Sequence, residues 1–230
     1  MRNEPPEECS GSRCATDCRT VVFCDFDGTI TAQDTLQAIV RQFLPADAME
    51  VLAGISRGNI SLRAGTERLI GSLPSKQADT VRRFVTRQPL RPGFRVFLQD
   101  MYERHIPVVV VSGNIQFCVE SRLAPLRHLI HRIHALEVDL DRPRMRALIA
   151  SGTTSEAVPK ADIVLSYPAQ RRIVIGDSLS DRSMALQADS VFARDRLLSF
   201  LQQRELPATP FNDFHDVLRQ FPDSGLRAGK

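Results

Sequence analysis

From Ile106 to Val111 the chain is a continuous apolar run, mostly β-branched, and Ser112-Gly113 follows at once. Such a run has no polar face to turn toward water, so it suits a strand covered on both sides, as in a parallel sheet. Two other short apolar runs end the same way. Val21 to Phe26 leads into Asp25-Phe26-Asp27-Gly28-Thr29-Ile30-Thr31, and Arg172 to Ile175 leads into Gly176-Asp177. Ser190 to Ala193 reads as a further strand. Segments of helical period separate these runs, at Phe94 to Tyr102, on through Val119 and Leu123, at Ala161 to Tyr167, Ser180 to Ala188 and Leu197 to Leu201, and a last one carries Phe214, Val217, Leu218 and Phe221. Strands alternating with helices predict an α/β fold with a parallel sheet.

One stretch breaks the alternation. Between residues 34 and 90 no strand pattern occurs, and apolar residues recur at helical spacing in four segments. Leu36, Ile39, Val40, Phe43 and Leu44 form the first, stopped by Pro45; Met49, Leu52 and Ile55 the second, ended near Gly58. Leu62, Thr66, Leu69 and Leu73 form the third, stopped by Pro74, and Ser75 is placed to cap the fourth. The expected organisation is a polar tail over 1–18, a core from 19–33 and 91–230, and a helical insertion over 34–90. Residues 133–150 read as two short strands meeting near Asp141-Arg142-Pro143.

Composition excludes several classes. With 43% hydrophobic and 25% charged residues in 230, disorder, collagen and coiled coil are set aside. No run approaches the ~20 apolar residues of a membrane span. A net charge of +3, with arginines scattered, gives no nucleic-acid footprint. Cys9, Cys14 and Cys18 in the tail lack the tight pairing of a metal site, and none of the five histidines has metal-ligand spacing. The odd cysteine count and the lack of an apolar N-terminal segment favour a reducing cytoplasm.

In an open parallel sheet, ligands bind beyond the carboxyl ends of the strands. The strand ends here carry Asp25 and Asp27, Ser112 and Gly113, and Asp177 with Asp181, so these groups are expected in one crevice. Several carboxylates at one sheet edge repel unless a cation separates them, and an all-oxygen site suits magnesium. Lys160, just before the Asp177 strand, can counter the charge of a phosphate.

Asp25-Phe26-Asp27-Gly28-Thr29, Ser112-Gly113, Lys160 and Gly176-Asp177-Ser178-Leu179-Ser180-Asp181 together resemble the four motifs of the haloacid dehalogenase superfamily, in order, across residues 21–181. The resemblance implies a Rossmann-like core, with a small helical cap inserted after the first strand, and a phosphomonoesterase activity with Mg2+ as cofactor. Asp25 would be the nucleophile that forms an aspartyl-phosphate. Asp27 would be the acid and then the base. Asp25, the Asp27 carbonyl and Asp177 would hold the metal. Ser112, Gly113 and Lys160 would bind the phosphate, with Gly28, Thr29 and Asp181 supporting. The insertion resembles the cap of the phosphoserine phosphatase branch. Ile60-Ser61-Leu62-Arg63, Leu73-Pro74-Ser75 and Phe192-Ala193-Arg194-Asp195 are similar to the branch that dephosphorylates 2-hydroxy-3-keto-5-methylthiopentenyl 1-phosphate in methionine salvage. That compound is the expected substrate, with phosphoserine as the alternative. Asp34 and Arg68 fall where the phosphoserine enzymes grip their substrate; otherwise Asp34 is a helix cap and Arg68 a solvated charge. A dehalogenase has no use for Asp27 or a metal. A non-catalytic phosphate-binding module has no use for the aspartate pair.

Overall fold

The computed structural model describes residues 20–149 and 155–222. Expectations for the tail and its three cysteines therefore lie outside the described residues. The chain begins with β1 (Thr20–Cys24), a tight loop over Phe26–Ile30, and four helices: α1 (Thr35–Phe43), α2 (Ala48–Ser56), α3 (Leu62–Ser72) and α4 (Ala78–Thr86). Next come α5 (Phe94–Glu103), β2 (Val108–Ile115), α6 (Gln116–Leu123), β3 (Arg132–Leu136), and the short pair β4 (Val138–Asp139) and β5 (Arg146–Ala147). The rest is α7 (Lys160–Ser166), β6 (Arg171–Gly176), α8 (Arg182–Ala185), β7 (Ser190–Ala193), α9 (Asp195–Gln202), β8 (Thr209–Pro210) and α10 (Phe214–Gln220).

Six strands form a parallel sheet in the order β3-β2-β1-β6-β7-β8. The apolar runs predict a parallel sheet and its strands β1, β2, β6 and β7. Val22, Phe23, Cys24 and Val108 to Val111 are almost wholly buried, as two-sided strands must be. The chain builds outward from β1 through β2 and β3, then returns to β6 on the other side of β1. This reversal opens a crevice between the carboxyl ends of β1 and β6, where ligands of such sheets sit.

Two expectations needed correction. Ser75 does not cap α4. It opens a 3₁₀ turn instead, and Gln77 precedes the helix with no capping side chain. The segment after residue 131 holds more than a hairpin, since Arg132–Leu136 joins the sheet as its parallel edge. β4 and β5 then pair antiparallel around residues 141–143, as expected.

Both ends of α3 and the turn after it are tied by backbone bonds to residues 143–145 and to Ser155. The Met145 N–H donates to the Leu73 carbonyl at 2.8 Å, the Ser75 N–H to Pro143 at 3.1 Å, and the Arg63 N–H to Ser155 at 2.9 Å. From α9, Arg196 reaches across to the end of α2 and donates to the Ser56 hydroxyl and carbonyl at 2.7 and 2.9 Å. Among the described residues, no helix is long and apolar enough to cross a membrane.

Candidate active site

Asp25 is the first residue beyond β1, and its N–H donates to the Ile175 carbonyl of β6 at 2.9 Å, so the chain turns directly above the two central strands. Gly28 makes that turn with φ +77°, and a Cβ there would lie 2.4 Å from Asp177 Oδ2. Only glycine tolerates both the backbone angle and the approach. Thr29 donates its hydroxyl to Asp177 Oδ1 at 2.9 Å. Below the loop, Arg91 is buried and spends its guanidinium on main-chain oxygens. It donates to the carbonyls of Gly28, of Thr29 at 2.8 Å and of Asn212 at 3.1 Å. Nothing in the local sequence marks Arg91 for this role. Arg91→Met should lower stability by about 3 kcal/mol, because buried carbonyls lose their donors. Chemical denaturation measures this, and a loss below about 0.5 kcal/mol would show that the loop holds itself.

At the floor of the crevice Lys160 joins two carboxylates, with its Nζ 2.6 Å from Asp25 Oδ1 and 2.7 Å from Asp181 Oδ1. All three side chains are at most 5% exposed. Burial works against the Lys160 ammonium, but Asp181 and Asp25 outweigh it and hold its pKa above the usual lysine range. Burial, then the charge of Asp181, raises Asp25 well above the ordinary carboxylate, with Lys160 opposing. Asp181 is fully engaged. Its second oxygen accepts the N–H groups of Asp177 at 3.1 Å and Ser178 at 3.0 Å. Burial and then Asp181 push Asp177 up to about 7.

Carboxylate oxygens of Asp25, Asp177 and Asp181 lie within 4.8 Å of one another. Asp25 and Asp177, carboxyls whose ionised form is penalised by burial and by their neighbours, offer hard oxygens that fit a small divalent cation such as magnesium, with the engaged Asp181 beside them. Asp27 turns its side chain away from this cluster. Its Oδ1 accepts the Thr35 N–H at 2.9 Å and the Thr35 hydroxyl, and both its oxygens face the Asn114 amide at 3.1 and 3.0 Å. Burial, then the charge of Asp34, pushes Asp27 up to about 7 against these donors. Thr35 and Asn114 were not singled out from sequence. Nothing in a lone threonine after an aspartate, or in an asparagine after Ser-Gly, marks them.

Ser112 is buried beside Asn114, and its Oγ accepts the Asn114 N–H at 3.0 Å. Gly113 and Lys160 line a cavity of about 650 Å³ above the aspartates. Asp34 also lines it, while its carboxylate accepts the Gln37 N–H at 2.8 Å and caps α1. Arg68 does not reach the cavity. It is exposed on α3, whose cavity face is formed by Leu62, Thr66 and Leu69.

A family model described as haloacid dehalogenase-like hydrolase matches residues 22–186. The chain belongs to the haloacid dehalogenase-like hydrolase family. Within that family it is 34% identical over 199 residues to the 2-hydroxy-3-keto-5-methylthiopentenyl-1-phosphate phosphatase of Microcystis aeruginosa, across 86% of this chain and 95% of the relative. The enzyme of the same name from Geobacillus kaustophilus (strain HTA426) is 36% identical over 206 residues, across 86% of this chain and 93% of the relative. Among solved structures, phosphoserine phosphatase from T. onnurineus superposes with a TM-score of 0.68 at 17% identity, over 91% of this chain and 97% of that one. This last likeness is one of fold. This haloacid dehalogenase-like hydrolase is a phosphoric monoester hydrolase.

Proposed function

We propose that this enzyme is a magnesium-dependent phosphatase working through an aspartyl-phosphate on 2-hydroxy-3-keto-5-methylthiopentenyl 1-phosphate in the cytoplasm. The observation that carries the chemistry is the placement of Asp25 between Lys160 and the Asp177 side of the crevice. Lys160 fixes one Asp25 oxygen and leaves the other to attack phosphorus. Asp25, the Asp27 carbonyl and Asp177 would hold magnesium, which when bound draws charge from the transferring phosphoryl group. Lys160, Ser112 and the Gly113 N–H hold phosphoryl oxygens, so the reaction is mostly positioning and charge neutralisation. Helices α1 to α4 act as the cap that shields it from water.

The substrate assignment is supported by the cap's inner wall. Leu52, Ile55, Ile60, Leu62 and Leu69 present apolar surface to the cavity, which suits a thioether tail. The phosphoserine reading assigns the substrate carboxylate to Arg68, and Arg68 lies outside the cavity, whose arginines are Arg57, Arg182 and Arg196. Asp34, at the rim of that wall, is placed for a substrate hydroxyl. A panel of purified phosphomonoesters tests the assignment. The salvage compound should exceed phosphoserine in kcat/KM by roughly 100-fold, the scale of discrimination a single hydrophobic pocket reaches. Preference for phosphoserine would reject it.

Metal dependence has a stability signature. Asp27 and Asp177 have pKa values raised to about 7 from an ordinary 3.8. The folded metal-free protein therefore holds protons that the unfolded chain releases. This contribution to stability is full below the ordinary carboxylate pKa and is lost as pH rises through about 7. Magnesium would favour the ionised form of Asp177, which would hold it, so its stabilisation should grow over the same window. Thermal unfolding at pH 5 and pH 8, with chelator and with magnesium, reads this. A magnesium-induced rise in Tm that is no larger at pH 8 would contradict it.

A further inference from the structure

We infer that Asn114 is the positioning residue of the Asp27 carboxyl, and that together with Thr35 it leaves Asp27 Oδ2 as the oxygen that carries the proton. The inference rests on the reading of Asp27 as the acid and base of the phosphatase reaction.

β2 pairs regularly with β3 through Val111 and resumes at Ile115, with a register shift between them. A bulge of this kind re-aims side chains that a regular strand would send to alternate faces. Asn114 sits in the irregular stretch with no exposed surface. Its amide orientation is determined, because the Oδ1 accepts the Ile115 N–H at 2.7 Å. The NH2 end must therefore face Asp27 and Thr35. One amide reaches Asp27 Oδ1 and Oδ2 at 3.1 and 3.0 Å and the Thr35 hydroxyl oxygen at 2.8 Å. The Thr35 hydroxyl, held from behind, donates onward to Asp27 Oδ1.

The two oxygens of Asp27 thus differ. Oδ1 meets three donors, the Thr35 N–H, the Thr35 hydroxyl and the Asn114 amide. An oxygen so surrounded has no room for a proton of its own. Oδ2 meets only the Asn114 amide, so a proton on the carboxyl resides there. In the first half-reaction the bond from phosphorus to the leaving oxygen breaks as the Asp25 oxygen bonds to phosphorus, and the Oδ2 proton passes to the leaving oxygen. In the second, water attacks the aspartyl-phosphate, its proton returns to Oδ2, and Asp25 and phosphate are released. Asn114 touches neither substrate nor phosphorus; it holds the carboxyl that does.

Leaving-group dependence separates this from a packing role. Asn114→Ala, with Asn114→Ser in parallel should the first fail to fold, is assayed beside Asp27→Asn on an alkyl phosphate and on nitrophenyl phosphate. Nitrophenolate departs with little protonation. Loosening a carboxyl that delivers a proton should lower kcat/KM, which reports phosphoryl transfer to Asp25, about tenfold more on the alkyl ester than on the aryl ester. Equal losses of kcat/KM on both esters, or unchanged activity in the folded variant, would overturn the inference while Asp27→Asn still discriminates between the esters. If Asp27→Asn itself does not discriminate, the reading of Asp27 fails first and takes the inference with it.

Discussion

Asp25→Asn is expected to abolish turnover, lowering kcat by at least about 10⁴-fold, because the amide neither attacks phosphorus nor forms the acyl phosphate. The substitution is close to isosteric, and it removes one of the two carboxylates beside Lys160. Asp181 still pairs the ammonium at 2.7 Å, so the buried cation keeps a partner and the fold survives. Stability is expected to change far less than activity, since the raised pKa of Asp25 already records how unfavourably its charge is placed. The measurement is single-turnover hydrolysis with circular dichroism on the same sample. A folded, non-deamidated variant that turns over within tenfold of the parent would remove Asp25 from the nucleophile's role.

Asp27→Asn is expected to separate substrates by their leaving groups. The variant keeps Asp25, the backbone carbonyl of residue 27 and the crevice, and loses only the group that exchanges a proton. General acid–base groups contribute roughly 10²–10⁴-fold, and alkyl phosphates should lose that much. Nitrophenyl phosphate should lose less in the first half-reaction, because its leaving group needs no acid, and should accumulate phosphoenzyme in the second. Trapping that intermediate by acid quench is the direct check. Alkyl and aryl substrates losing activity alike, with no accumulated intermediate, would place the proton carrier elsewhere. Thr35 and Asn114 donate to the aspartate and would face the new amide's NH2, so part of the loss will come from misplacement. The Asn114 variants measure that share separately.

The sheet was legible in the chain because burial on both faces leaves a local mark. The run at Val108–Val111 and the run at Val21–Cys24 contain nothing that water would hold, and both proved to be central strands. The loop chemistry was legible for a similar reason. Asp25, Asp27 and Gly28 stand within four residues, and Gly176-Asp177 with Asp181 stand within six, so each motif is a local pattern whose spacing survives without a structure. The four helices from α1 to α4 were readable from period alone. The edge strands β3 and β8 were not, since Arg132–Leu136 and Thr209–Pro210 are short and mixed in polarity and take their state from a neighbouring strand.

What only the tertiary structure decided is which distant residues meet. Arg91 lies 60 or more residues from the carbonyls it holds at Gly28 and Thr31. Lys160 stands 135 residues from Asp25, and Asn114 stands 87 residues from Asp27. Arg68 and Leu69 are neighbours in sequence, yet one points to solvent and the other lines the cavity, because successive residues of a helix lie about 100° apart. Residue type and spacing state which chemistry a segment can perform. The direction of each side chain, and the donors that meet a given carboxylate oxygen, follow from contacts closed by long loops, and a local pattern carries no record of those contacts.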